Sequence, residues 1–273
     1  MLRSALLNVM MQAARKAARS LKRDFGEVER LQVSLKGPGN FVSAADRRAE
    51  EILYEELTKA RPGYGFLGEE GGRRAGNDKT NSWIVDPLDG TTNFLHGIPQ
   101  FAISIALERD GAIVAGLTYN PANEELFIAE RGKGAFLNDQ RIRVAARERL
   151  ADAVVACGMP HYGRGDLALA RHEIATAQQN FAGLRRYGAA TLDLAWIAAG
   201  RLDAYWERDL SPWDLAAGMI LVREAGGFVS DCDGKDAVLT KGQVVTGNDT
   251  MHRELLRLLK TANQEASKEA VAP

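Results

Sequence analysis

The chain has 273 residues, 45% hydrophobic and 26% charged, the make-up of a globular protein that can bury a substantial core, and its length predicts two domains sharing an interface. Its 35 Lys and Arg against 36 Asp and Glu leave no net field to draw nucleic acid, so contact with nucleic acid or the transcription machinery is not indicated. No apolar run reaches the about 18 residues that cross a bilayer, so a soluble, cytoplasmic protein without membrane contact is expected, and Cys157 and Cys232 are too few for a disulfide framework and read as buried free thiols.

In chain order, Leu2, Leu6, Met10, Ala13, Ala17 and Leu21 recur every three or four residues, which predicts an amphipathic helix rather than a basic targeting segment. A second helix is predicted from Ser43, as N-cap, to Ala60, with Arg47, Glu51 and Glu55 outward and Ile52 and Leu53 inward. After a loop over 68–81, Trp83-Ile84-Val85 reads as a buried strand stopped by Pro87. Phe101–Arg109, Ala112–Tyr119, Glu125–Glu130 and Ala135–Val144 then read as an antiparallel meander, with a hairpin turn at Asp110-Gly111. From about Ala151 strands and helices alternate: strands at 153–157, 183–187 and 204–208, helices at 167–179, 191–199 and 214–225, and strands near Phe228 and Val244. The predicted domains are 1–148 and 149–273, with a tail that frays from about Thr261.

The segment Asp86-Pro87-Leu88-Asp89-Gly90-Thr91-Thr92-Asn93 places two carboxylates on one turn where a buried strand ends. Pro87 stiffens the turn, Gly90 lets a ligand approach the backbone, and amides at Thr91 and Thr92 would face an anion if a helix starts there. On its own the segment reads equally as a surface Asx turn with Thr92 as N-cap. Glu69-Glu70 adds adjacent acids in a glycine-rich loop, and Asp214 opens a helical pattern, where it would serve as N-cap. Oxygen-only ligands without nearby His or Cys suit Mg²⁺ rather than zinc, and the spacing is not that of a calcium-binding EF-hand.

Gly68-Glu69-Glu70, Trp83 to Phe94 and Ser211-Pro212-Trp213-Asp214-Leu215-Ala216-Ala217-Gly218 resemble the signature segments of the inositol monophosphatase family. Gly132 to Asn138 and Ala204 to Arg208 resemble further family segments in the expected order, so the likeness runs over nearly the whole chain. It implies a layered αβαβα sandwich of α/β (α+β) class, of the type shared with fructose-1,6-bisphosphatases, and a homodimer. It also implies two Mg²⁺ ions, with a third, weaker one near Glu69. Glu69, Asp86 and the carbonyl of Leu88 would hold the first, and Asp86, Asp89 and Asp214 the second, roughly 4 Å away. The same resemblance places the attacking water against Glu69, Glu70 and Thr91, and phosphate oxygens on the amides of Gly90 and Thr91. Hydroxyls of the substrate would meet Asp89, the backbone of Ala190, Glu207 and Asp214. Lys36, before Gly37-Pro38-Gly39-Asn40, matches a lysine on a loop able to close over the site, and Asp46 is expected to orient this layer.

The implied reaction is Mg²⁺-dependent hydrolysis of a small phosphate monoester, foremost myo-inositol monophosphate, with lithium sensitivity. Gly188-Ala189-Ala190-Thr191 departs from relatives that carry a hydroxyl straight after the glycine, which removes one polar contact to substrate. Fructose 1,6-bisphosphate, adenosine 3',5'-bisphosphate and histidinol phosphate are therefore alternative substrates, and a non-catalytic regulatory binding protein is the alternative of another class. Gly132-Lys133-Gly134 lacks the spacing of a nucleotide-binding loop and reads as a hairpin turn; His96, His161, His172 and His252 show no zinc-site spacing.

Overall fold

Two sheets carry the chain, and the segments that leave their facing ends hold the acids singled out above. The computed structural model describes residues 4–25, 27, 33–37, 40–160, 163 and 165–271, with a described side chain for all of these except 33–43 and 270–271. The first half forms α1 (Ala5–Phe25), the small hairpin β1 (Val33–Gly37) and β2 (Asn40–Ser43), α2 (Ala44–Ala60), β3 (Gly65–Gly68), β4 (Gly72–Arg74), β5 (Asn81–Asp89) and α3 (Thr91–Leu95). The meander follows as β6 (Ala102–Arg109), β7 (Ala112–Asn120), β8 (Glu125–Glu130), β9 (Gly134–Leu137) and β10 (Gln140–Ile142). Strands β3 to β10 make one eight-stranded sheet, in the order β10-β9-β8-β7-β6-β5-β3-β4. Every pairing in it is antiparallel except β3 with β5, which are parallel.

The second half gives β11 (Val154–Cys157), α4 (Leu167–Asn180), β12 (Gly183–Arg185), α5 (Ala190–Ala198), β13 (Ala204–Glu207) and α6 (Pro212–Glu224). It ends with β14 (Phe228–Ser230), α7 (Val238–Lys241), β15 (Val244–Gly247) and α8 (Asp249–Val271). Its five-stranded sheet has the order β12-β11-β13-β15-β14, with β11 parallel to both neighbours and β15 antiparallel to both of its own.

Side-chain alternation along the strands builds five layers. Trp83 and Val85 of β5 point to α1 and α2, where Leu7, Met10, Leu21, Leu53 and Leu57 bury the opposing stripe. Ile84, between them, faces Ala216 and Ala217 of α6. Across the second sheet Tyr205 joins the α5 and α6 core, while Trp206 packs toward α4 and α8. The order is thus α1/α2, large sheet, α5/α6, small sheet, α4/α8, as the αβαβα expectation required.

Contact between α6 and the large sheet is close enough to demand glycine. A Cβ on Gly116 of β7 would stand 2.6 Å from Ile220 Cγ2 and 2.7 Å from the carbonyl oxygen of Ala217. Gly116→Ala should therefore cost about 1–3 kcal/mol by overpacking, read as a lowered midpoint in urea with an unchanged m-value.

Several expected boundaries moved. Pro87 does not stop its strand: β5 runs on to Asp89, because the ladder with β6 slips register between Asp86 and Asp89 and the proline sits in that irregularity. The expected loop over 68–81 contains β4 and its turn from β3, and the expected strand 135–144 is the hairpin β9–β10. Ser43 ends β2, directly before α2. The tail does not fray at Thr261, since α8 stays helical to Val271, anchored by Leu255, Leu258, Leu259 and Ala262. Cys157 is buried but Cys232 only half-buried, and burial pushes both thiols up to about 12.

Candidate active site

Glu69 follows the last residue of β3, and Asp86 and Asp89 lie on the final turn of β5, the parallel neighbour of β3, so one sheet end delivers three acids. Asp214 comes from the first turn of α6, across the interlayer gap. Ser104 of β6 ties that turn to the sheet, its hydroxyl donating to the carbonyl of Trp213 at 3.2 Å.

Each of the three aspartates commits one oxygen to holding its own segment. Asp86 Oδ1 accepts the amide of Leu88 at 2.9 Å. Asp89 Oδ2 accepts the amide and hydroxyl of Thr191 at 2.8 and 2.6 Å, which locks the end of β5 to the start of α5. Asp214 Oδ2 accepts the amide of Ser211 at 2.7 Å. Asp214 is therefore not the N-cap it was expected to be. Ser211 takes that place, because Pro212 occupies the first helical position, and Asp214 reaches back from the third.

The electrostatics follow from that packing. Burial first, and then the charges of Glu69, Asp89 and Asp214, hold the Asp86 carboxyl well above the usual carboxylate range. Asp214 is raised for the same reasons, burial leading and Asp89 the strongest neighbour. Asp89 is pushed up to about 6 by burial, against the bonds from Thr191 that favour its charged form. The charges acting most on Asp86 are all negative, a repulsion that a divalent cation would offset.

The donor set fits a hard divalent ion: carboxylates from three chain segments, Asp86 buried and Glu69, Asp89 and Asp214 half-buried, with no His or Cys among them. Among the described residues no group of three or more His, Cys, Asp or Glu side chains stands close enough together to hold a metal ion as placed.

Gly90 has φ 83°, and a Cβ there would meet the carbonyl oxygen of Gln100 at 2.8 Å, so the turn into α3 needs glycine. The first helical bond of this turn runs from Phe94 N–H to the Gly90 carbonyl at 3.0 Å, which places the Thr91 and Thr92 amides ahead of it. The amides of Gly90, expected to face phosphate, and of Ala190 lie toward the Asp89 carboxylate and favour its charged form. Thr91 Oγ1 donates to the carbonyl of Leu88 at 3.0 Å, orienting the backbone oxygen that the resemblance assigns to a metal.

A cavity of about 420 Å³ extends from Glu69 and Asp214 past Trp213, Glu207 and Arg208 to Met159 and α4. Glu207 is half-buried rather than an exposed strand residue; it accepts the Tyr205 hydroxyl and is pushed up to about 7 by burial. Gly158 opposes it so closely that a Cβ would lie 1.9 Å from Glu207 Cδ. Lys36 belongs to β1, but its side chain lies outside the described residues, as do Pro38, Gly39 and His161.

Thr191, Tyr205, Gly158 and Glu50 escaped the sequence reading. Glu50 left a signal, since Asp46, Ala49, Glu50, Leu53 and Leu57 repeat at helical spacing along the buried face of α2, and two charged residues on that stripe call for buried partners.

Residues 2–265 match the model of the inositol monophosphatase family. The chain belongs to that family. Its members are generally metal-dependent, in keeping with the mutually repelling carboxylates described above. An inositol-1-monophosphatase of Mesorhizobium japonicum is 62% identical over 260 residues, which cover 95% of this chain and 98% of that one. The crystal structure of extragenic suppressor protein suhB from Bartonella henselae superposes with a TM-score of 0.92 at 56% identity, covering 94% and 99% of the two chains. A Nus factor SuhB of Pseudomonas aeruginosa is 41% identical, over 93% of this chain and 96% of its own. Among the described residues no helix is long and apolar enough to cross a membrane.

Proposed function

We propose that this chain is a magnesium-dependent phosphomonoesterase acting foremost on myo-inositol monophosphate. The observation that carries the reading is the clustering of the buried Asp86 with the half-buried Glu69, Asp89 and Asp214 among mutually repelling charges, a costly arrangement that a divalent cation would relieve. The relatives named inositol-1-monophosphatase, at 54–62% identity, support the substrate class.

Glu69, Asp86 and the Leu88 carbonyl would hold one ion, and Asp86, Asp89 and Asp214 the second. When bound, such a pair supplies charge neutralisation on the phosphoryl oxygens and a water acidic enough to attack at neutral pH. Glu70 and Thr91, with Glu69, would orient that water, and the Gly90 and Thr91 amides would take phosphate oxygens. No protein nucleophile is required. Glu207, pushed up to about 7 by burial, can donate to or accept from a polyol hydroxyl, and the backbone of Ala190 would supply a further contact. Lys36, on the β1–β2 hairpin rather than the expected loop, would approach the same phosphate, and a homodimer is the assembly that accompanies this reading.

Phosphate release measured across inositol monophosphates, fructose 1,6-bisphosphate, adenosine 3',5'-bisphosphate and histidinol phosphate tests the substrate. Inositol monophosphate is expected to give the highest kcat/KM. Within that reaction Glu207→Gln should raise KM about 10-fold, by roughly 1.4 kcal/mol of lost polyol binding, with the Mg²⁺ requirement unchanged. A raised Mg²⁺ requirement instead would remove Glu207 from the substrate side.

The likeness to a Nus factor favours a second reading, a regulatory binding protein. It would be preferred if no ester in the screen releases phosphate at any Mg²⁺ concentration.

A further inference from the structure

Behind Glu69 and Glu70 stands a carboxylate that neither the metal ligands nor the substrate contacts use. Glu50 projects from the buried face of α2 and is 3% exposed. Its oxygens are divided between consecutive amides: Oε2 accepts from Glu70 N–H at 2.8 Å and Oε1 from Gly71 N–H at 2.7 Å. A carboxylate that grips two successive amides fixes the peptide plane between them, as an anion is gripped in a backbone nest.

The surroundings are cut to this contact. A Cβ on Gly68 would stand 2.4 Å from Glu50 Oε2, and one on Gly71 2.7 Å from Oε1, so glycine on either side of the acid pair is what lets Glu50 approach. Gly68 and Gly72 are opposite one another in the β3–β4 pairing, which makes Glu69 to Gly71 the tip of a hairpin. Arg74 closes the far side, its guanidinium lying 4.0 Å over the Tyr54 ring. A buried charge satisfied on both oxygens costs less than one left unpaired, and its removal would leave two amides without acceptors.

We infer that Glu50 is a positioning residue: by gripping the Glu70 and Gly71 amides it sets the rotation of the hairpin tip, and with it the approach of Glu69 to a divalent cation and of Glu70 to the attacking water. The inference rests on the metal-site reading proposed above. Its chemistry is that of a buttress one bond removed from a ligand, a place where substitutions characteristically weaken metal affinity about 10–100-fold.

Glu50→Gln tests it, because the amide keeps one acceptor and turns an NH₂ group on to a backbone N–H. In the metal-free protein, hydrogen exchange at 69–71 should accelerate while the rest of α2 and β5 keeps its protection. Calorimetric Mg²⁺ affinity should fall about 10-fold or more, and KM for inositol 1-phosphate at saturating Mg²⁺ should stay within twofold. Wild-type Mg²⁺ affinity in the folded variant, or acceleration spread evenly over α2 and the sheet, overturns the inference. If Glu50→Gln does not fold, Gly68→Ala presses the same contact from the opposite side and is held to the same outcomes. Failure of the wild-type protein to release phosphate would strike the functional reading, while exchange and Mg²⁺ affinity would still decide the role of Glu50.

Discussion

Asp89→Asn should lower Mg²⁺-dependent phosphate release by about 10³-fold or more, the equivalent of roughly 4 kcal/mol of transition-state stabilisation, while leaving the protein folded. Asn is isosteric with Asp, so its side-chain oxygen can still accept the Thr191 amide and hydroxyl that now bond Asp89 Oδ2 at 2.8 and 2.6 Å. What it removes is charge. In the metal-free protein that charge is a burden: burial pushes Asp89 up to about 6, and its field in turn raises Asp86 and Asp214. The variant should therefore melt at or above the wild-type temperature without Mg²⁺ and gain less from adding it. Phosphate release and thermal melts on the same preparation check this, and retained activity would show that Asp89 does not serve the reaction.

A second large effect is on stability. Without divalent ions the protein should become less stable between about pH 5 and pH 8, although carboxylates commonly act in the opposite sense. In the unfolded chain these acids release their protons near pH 4. Folded, Asp89 holds its proton to about 6 and Glu207 to about 7, both through burial, and Asp86 and Asp214 are raised in the same direction. Between the unfolded and folded values the native state binds more protons, so stability present below about pH 4 is lost as pH climbs through the folded values.

Asp89 alone amounts to about 3 kcal/mol at 1.36 kcal/mol per tenfold change in acidity, and the coupled groups do not simply add. His252, lowered by burial, opposes the trend over the lower part of this range. The expected net result is a melting temperature about 5 °C or more lower at the higher pH. Mg²⁺ should restore the loss, and more strongly at pH 8 than at pH 5, because bound cations favour the ionised ligands. Melts that are flat with pH in chelator would contradict this.

Much of the site is legible along the chain because its ligands are concentrated. Asp86 to Asn93 holds two acids, the glycine turn and a helix start in eight consecutive residues, so that local chemistry announces itself. The alternation of strands and helices after Ala151 is readable where the helices α4, α5 and α6 are long enough to show their period, whereas the four-residue α7 is not. The layered arrangement was not visible in periodicity; the family resemblance supplied it.

What escaped is what depends on distant partners or very short elements. β4 has three residues and is rich in Gly and Arg, so no apolar alternation marks it. Pro87 signalled a strand end by the ordinary rule, and only the register slip against β6 lets β5 continue past it. Thr191 lies 102 residues from the Asp89 it clamps, a pairing that exists only once α5 closes on the large sheet. The helical tail was mistaken for a frayed one because its Ala, Glu and Lys residues bury little, yet they are strong helix formers continuing from the anchored Leu255 to Ala262 stretch.

An anomalous difference map from crystals soaked in Mn²⁺ addresses the cation site most directly. Peaks bounded by Glu69, Asp86, Asp89, Asp214 and the Leu88 carbonyl are the result expected, with the free oxygens of the aspartates drawn inward. An empty cluster in a crystal that binds Mn²⁺ elsewhere would contradict the account.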